Sequence, residues 1–174
     1  MVQLTDDCFA FSGPLMPIEE IERVIASRVA PVEGVEEVPL GTARGRVLAR
    51  DVVAPASLPP FDNSAVDGYA VRHSDLAHGG ETRLRVSDRV AAGQAARRPI
   101  GAGEAIRIFT GAPMPEGADT VFMQEDCRLE ADHVIVPPGL ALGANRRLAG
   151  EDVAAGGTAL PAGRRLRPAD IALA

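Results

Sequence analysis

Between residues 69 and 146 the chain offers only short apolar pieces. "YAVR", "LRVS", "AIRIF", "TVFM" and "HVIV" are separated by clusters of Gly, Pro, Asp and Asn. Pieces of that length, broken by turn residues that often, predict strands joined by tight turns. They point to a small β-barrel or sandwich rather than alternating helix and strand. Aromatic residues make up 3% of the 174, so the core must be assembled from Val, Leu, Ile and Ala. A hydrophobic content of 46% is ample for a folded chain.

The flanks have a different texture. "MPIEEIERVIASRVA" sets Ile18, Ile21, Val24, Ile25 and Val29 at helical spacing. Glu19 and Glu20 fall in the first turn, Pro17 suits the start and Pro31 the stop. "VEEVPL" reads as a short strand, "GTARGRVLA" as a short helix and "RDVVAP" as extended chain. The tail holds a Gly-rich turn, a strand-like "TAL" and a helix start marked by Pro168 and Asp170. That last helix has barely begun at Ala174 and is marginal by itself. The sequence therefore reads as a segment cut at a domain boundary.

Several functions are excluded by what is missing. Net charge is −6, without the basic face of a nucleic-acid binder. No stretch approaches a membrane span, and the N-terminus lacks a secretory pattern, so a cytoplasmic protein is expected. All 18 basic residues are arginine, which removes lysine Schiff-base chemistry and the GxxxxGK[ST] phosphate loop. Cys8 and Cys127 form no CxxC, and with three histidines a structural zinc site is not expected. "DNSAVDG" resembles a calcium loop only superficially, because its glycine falls late and the twelfth residue is His73.

Three polar segments remain. "LPPFDNSAVDGYAVR" concentrates Asp62, Asn63, Ser64 and Asp67 in one loop; a well-capped turn would account for them. In "RIFTGAPMPEGADTVFMQED", Thr110 beside Gly111 at a strand end could offer a hydroxyl and open backbone amides to an oxyanion. A plain strand-end turn explains them too. In "NRRLAGED", Arg146 and Arg147 suit an anion while Glu151 and Asp152 suit Mg²⁺. A surface salt-bridge cluster is the simpler account.

Taken together and in order, these segments resemble the MoeA family, the molybdopterin molybdenumtransferases that include the E domain of gephyrin. The likeness runs from about residue 15 to the end, and its one notable change is Val66 where the family usually carries Met. The resemblance implies a mixed α+β, β-rich fold: an elongated, interrupted first domain (residues 1–53 and 153–174) carrying an inserted, small β-barrel-like second domain (54–152). Family members continue with a pterin-binding α/β domain and a further β-barrel, neither of which is in this segment.

The implied reaction moves molybdenum from molybdate to the dithiolene of adenylylated molybdopterin, with Mg²⁺, releasing AMP. By resemblance Asp67, Thr110 and Asp152 fall at catalytic positions, with Asp67, Glu151 and Asp152 as carboxylates toward the metal. Thr110 would contact the oxyanion. Asp62, Asn63, Ser64, Gly111, Arg146 and Arg147 are implied as substrate-side groups. A homodimer is implied, its helix at 18–29 a contact surface, and the segment alone is expected to dimerise without turning over. The competing reading is a non-catalytic dimerisation or docking module.

Overall fold

Alternation along one strand decides how the sheet is built. In β3 every residue is buried, with Tyr69 and Val71 on one face and Ala70 on the other, so apolar cover is needed on both sides. The computed structural model describes residues 16–30 and 32–174. Its elements are α1 (Ile18–Arg28), β1 (Val52–Val53), β2 (Asn63–Ser64), β3 (Gly68–Val71), β4 (Thr82–Val90) and β5 (Glu104–Ile108). They continue with β6 (Thr120–Met123), β7 (Arg128–Glu130), β8 (His133–Val136), β9 (Arg146–Arg147), β10 (Thr158–Leu160) and α2 (Pro168–Leu173).

The described residues up to Val38 and those from Pro39 onward fall into two units. The boundary expected near residue 53 lies inside the second. In the first unit α1 forms as its spacing predicts, with Pro17 before it, Glu19 and Glu20 in the first turn and Arg28 in the last. None of its residues is buried. Pro31, expected to stop the helix, lies outside the described residues, as does Cys8.

In the second unit six strands make a curled half-barrel sheet in the order β6-β3-β5-β4-β8-β7. The β4–β5 pair is parallel and every other pair antiparallel. One face carries Ala70, Val90, Ile106, Ile108 and Val121. The other carries Tyr69, Val71, Leu84, Phe122, Val134 and Val136. Both clusters are dominated by small and branched aliphatics, as the scarcity of aromatics requires. Gly68 permits the closest approach: a Cβ there would lie 1.8 Å from the Phe122 carbonyl oxygen of β6.

The first and last parts of this unit lie side by side. Val52 and Val53 of β1 pair with Leu160 and Thr158 of β10, and Val47 bridges to Arg165. Here two expectations fail. Among the described residues "VEEVPL" forms no strand, and "GTARGRVLA" gives a tight turn at Leu40–Thr42 and a second one closed by the Arg46 amide on the Ala43 carbonyl. Gly45 takes a φ of 80° and bonds to the Leu166 carbonyl, which ends any helix and turns the chain toward the 164–166 segment. The tail helix α2 begins at Pro168, its start held by Asp170, which accepts from the Arg167 amide at 2.8 Å. Among the described residues no helix is long and apolar enough to cross a membrane.

Candidate active site

The three polar segments meet, and backbone does most of the joining. Asn63 and Ser64 of β2 pair with Arg147 and Arg146 of β9. On its other side the same segment takes the amide of Gly111 on the Ser64 carbonyl (2.8 Å) and gives the Ser64 amide to Ala112 (3.0 Å). Further back, the amides of Gly150 and Asp152 bond to the carbonyls of Pro59 and Leu58. The 58–67 segment, which includes a cis Leu58–Pro59 bond, is therefore a spine. Thr110–Gly111 lies along one flank and residues 146–152 along the other.

Asn63 and Ser64 are buried. The Asn63 amide donates to the Phe61 carbonyl at 3.2 Å and the Ser64 hydroxyl to that of Val66 at 2.6 Å. These two candidates for substrate contact thus spend their side chains shaping the loop. What they position is Asp67, which is half-exposed. Its Oδ1 accepts both the Thr110 amide (2.8 Å) and the Thr110 hydroxyl (2.7 Å), across 43 residues of sequence. The amide first, then the hydroxyl, holds the Asp67 carboxyl below its ordinary range, and the Arg107 guanidinium adds to this. Both bonds end on Oδ1, and among the described residues no hydrogen bond reaches Oδ2.

This geometry revises the part expected of Thr110 and Gly111. Their backbone amides are not open, since Asp67 and Ser64 take them. The Thr110 proton is committed to Asp67, so the hydroxyl presents lone pairs outward rather than a donor. Gly111 is needed for its backbone, at φ 77°.

On the opposite flank Arg147 is the organiser. One of its terminal nitrogens spans both Asp152 oxygens at 2.8 and 2.7 Å, and its Nε donates to Glu151 at 2.5 Å. Glu151 also accepts the Leu148 amide at 2.8 Å. The Arg147 bond, then the amide, keeps the Glu151 carboxyl low. Arg146 faces Asp62 at 3.7 Å, and Asp62 accepts the Ala149 amide at 2.8 Å. Asp67 thus caps one end of the spine and the Arg147–Glu151–Asp152 knot the other.

A metal fits this arrangement only in one manner. Among the described residues no three His, Cys, Asp or Glu side chains gather to hold an ion, so Asp67, Glu151 and Asp152 do not form a cage. Mg²⁺ rarely needs one, because one or two carboxylates with substrate phosphates and water suffice. The Asp67 carboxylate, hydrogen-bonded through Oδ1, has the donor chemistry for that mode. Two concavities of about 270 and 340 Å³ lie elsewhere, beside His73 and Leu140 and beside Arg98 and Met114. Asp67, Thr110 and Asp152 line neither; Thr110 is exposed and Asp67 half-exposed.

Sequence reasoning missed three residues next to the pair. Arg107 donates to the Gly68 carbonyl at 2.8 Å and bonds Gln124, and its guanidinium lies over Tyr69 and Phe109. Arg89 also lies over Phe109. The alternation of "RIF" was the available signal, since it places Arg107 and Phe109 on one strand face.

The half-barrel sheet and its loops are found in solved structures. The crystal structure of the molybdopterin biosynthesis moeA protein from Pyrococcus horikoshii OT3 superposes with a TM-score of 0.77 at 39% identity, covering 92% of this chain and 43% of that one. A family model of the MoeA N-terminal region (domain I and II) matches residues 16–174. The chain belongs to the MoeA family. It is 41% identical over 160 residues to molybdopterin molybdenumtransferase 2 of Mycobacterium tuberculosis, covering 90% of this chain and 39% of that protein. It is 36% identical over 166 residues to the molybdopterin molybdenumtransferase of a Nostoc species, covering 92% and 38%. The chain thus spans about two fifths of the length of the curated relatives it matches.

Proposed function

We propose that this chain supplies one wall of the molybdenum-insertion site of a molybdopterin molybdenumtransferase. That enzyme acts in the cytoplasm as a Mg²⁺-dependent homodimer on molybdate and adenylylated molybdopterin. The observation that carries the reading is the Asp67–Thr110 contact. Two side chains 43 residues apart meet at 2.7 Å, on a spine whose flanks are the other two family-like segments.

Insertion brings the molybdate dianion beside a phosphate linkage that must be cleaved, so the site must screen negative charge while holding oxygens in order. Asp67 would hold Mg²⁺ through Oδ2; when bound, the ion neutralises phosphate charge. Thr110 keeps the carboxylate ionised and pointed. Arg147 fixes Asp152 and Glu151 as an ordered acidic ledge, and Arg146 anchors Asp62 beside it.

Asp67→Asn in the full-length transferase tests this. The amide keeps the shape and loses the charge, so folding should be retained while molybdenum insertion, read as AMP release and cofactor formation, is abolished. Full activity in that variant would remove Asp67 from the reaction. It would also favour the second reading, a docking or dimerisation module, which the unburied apolar residues of α1 support.

A further inference from the structure

Arg89 of β4 and Arg107 of β5 are direct cross-strand partners on one face of a parallel pair. Like charges so placed destabilise a sheet unless something compensates. Each guanidinium carbon lies over the Phe109 ring, at 4.5 Å for Arg89 and 4.6 Å for Arg107. Those distances bound the separation of the two cations at about 9 Å, close to one screening length at physiological salt.

Acidic side chains compensate only in part, through the field between the Asp67 carboxylate and Arg107. Among the described residues neither arginine has a carboxylate in ion-pair range. Asp88, next to Arg89, turns its carboxylate to the amides of Arg89 and Arg97. Glu104, at the start of β5, is taken by Arg85 and Arg98. Arg107 spends its polar contacts on a carbonyl and on neutral Gln124. Phe109 holds both cations at a set spacing, and Thr110, the next residue, bonds Asp67.

We propose that Arg89 and Arg107, held over Phe109, form an anion clamp beside the Asp67–Thr110 pair. It takes a multiply charged tetrahedral oxyanion of the substrates. The clamp rests on the function proposed above and names the group it receives, either a nucleotide phosphate or molybdate. Guanidinium is suited to both, since its planar donors pair with oxyanion edges while its face stays on the ring. The clamp cation and the Asp67 carboxylate would then bracket the site, one drawing the anion and the other a divalent ion.

The test is an NMR titration of the chain with AMP, inorganic pyrophosphate or molybdate, read on the arginine Nε–Hε signals, with chloride as control. Saturable shifts at Arg89 and Arg107 are expected, and Arg89→Gln should weaken the affinity about tenfold. Arg89→Lys should restore part of it. A response to AMP and pyrophosphate assigns the clamp to phosphate, and a response to molybdate alone assigns it to the metal oxyanion. Shifts that merely follow ionic strength, as with chloride, would overturn it. If Arg89→Gln binds like the parent while Asp67→Asn abolishes insertion, the clamp is wrong and the function stands. A fully active Asp67→Asn overturns the function on which the clamp depends.

Discussion

Glu104 opens β5, the strand that leads to Arg107 and Thr110, and its burial makes a measurable demand on pH. Its carboxylate is nearly enclosed, with 9% of the side chain exposed. It accepts from Arg98 at 2.8 Å, from the Gly101 amide at 3.0 Å and from Arg85. The Arg98 bond, then the amide, lowers its pKa from 4.5 to about 2. At about 1.4 kcal/mol per pH unit that gap corresponds to about 3 kcal/mol. Arg85 and Arg98 are 54% and 51% exposed, however, so solvent screening reduces it to about 2 kcal/mol.

Because the folded pKa is depressed, this stability is fully present above pH 4.5 and is lost as pH falls toward 2. Glu104→Gln mimics the protonated acid. At pH 7 it should lower the urea midpoint by about 1 M. That deficit should shrink steadily below pH 4.5. Asp67 and Glu151 also have lowered pKa values, but neither is held by Arg85 or Arg98, so they cancel in the difference between parent and variant. A midpoint deficit that is the same at pH 7 and pH 3 would refute the charge-based account. It would leave only a packing effect.

Two further outcomes follow from the coordinates. Gly68→Ala should cost about 3 kcal/mol or more, because its Cβ would meet backbone atoms of β6 that cannot move without breaking the sheet; a melting temperature within a few degrees of the parent would contradict the register. The homodimer proposal predicts twice the 18.2 kDa chain mass in sedimentation equilibrium. Ile25→Glu, in the unburied apolar stripe of α1, should shift the chain toward monomer, and a parent that is monomeric at micromolar concentration would refute it.

Which parts of this molecule could be read in advance depends on where the information lies. The pieces around "YAVR", "AIRIF", "TVFM" and "HVIV" became β3, β5, β6 and β8 because alternation is a local signal and each strand has a core on its faces. β2 and β9 escaped notice because two polar residues carry no period. They are strands only because Asn63 and Arg147, 84 positions apart, are brought opposite each other. "VEEVPL" shows the reverse case, a strand-like pattern that forms no strand among the described residues. The site divides in the same way. Loop composition alone could not distinguish Asp67 from an ordinary turn residue, and the family likeness supplied the three segments without their geometry.

The geometry redistributes the roles. Asn63 and Ser64 fold inward to shape the spine, the amides of Thr110 and Gly111 are spent on Asp67 and Ser64, and the Thr110 hydroxyl donates its hydrogen bond to Asp67. On the function proposed above, donors for an incoming oxyanion would come from elsewhere on this surface. Among the described residues Arg89 and Arg107, both over Phe109, have no carboxylate at ion-pair distance, although the field of Arg107 reaches Asp67. In the proposed site, where hydroxyl and amides serve the carboxylate, the anion would fall to the arginines. That division of labour follows from counting where each proton goes.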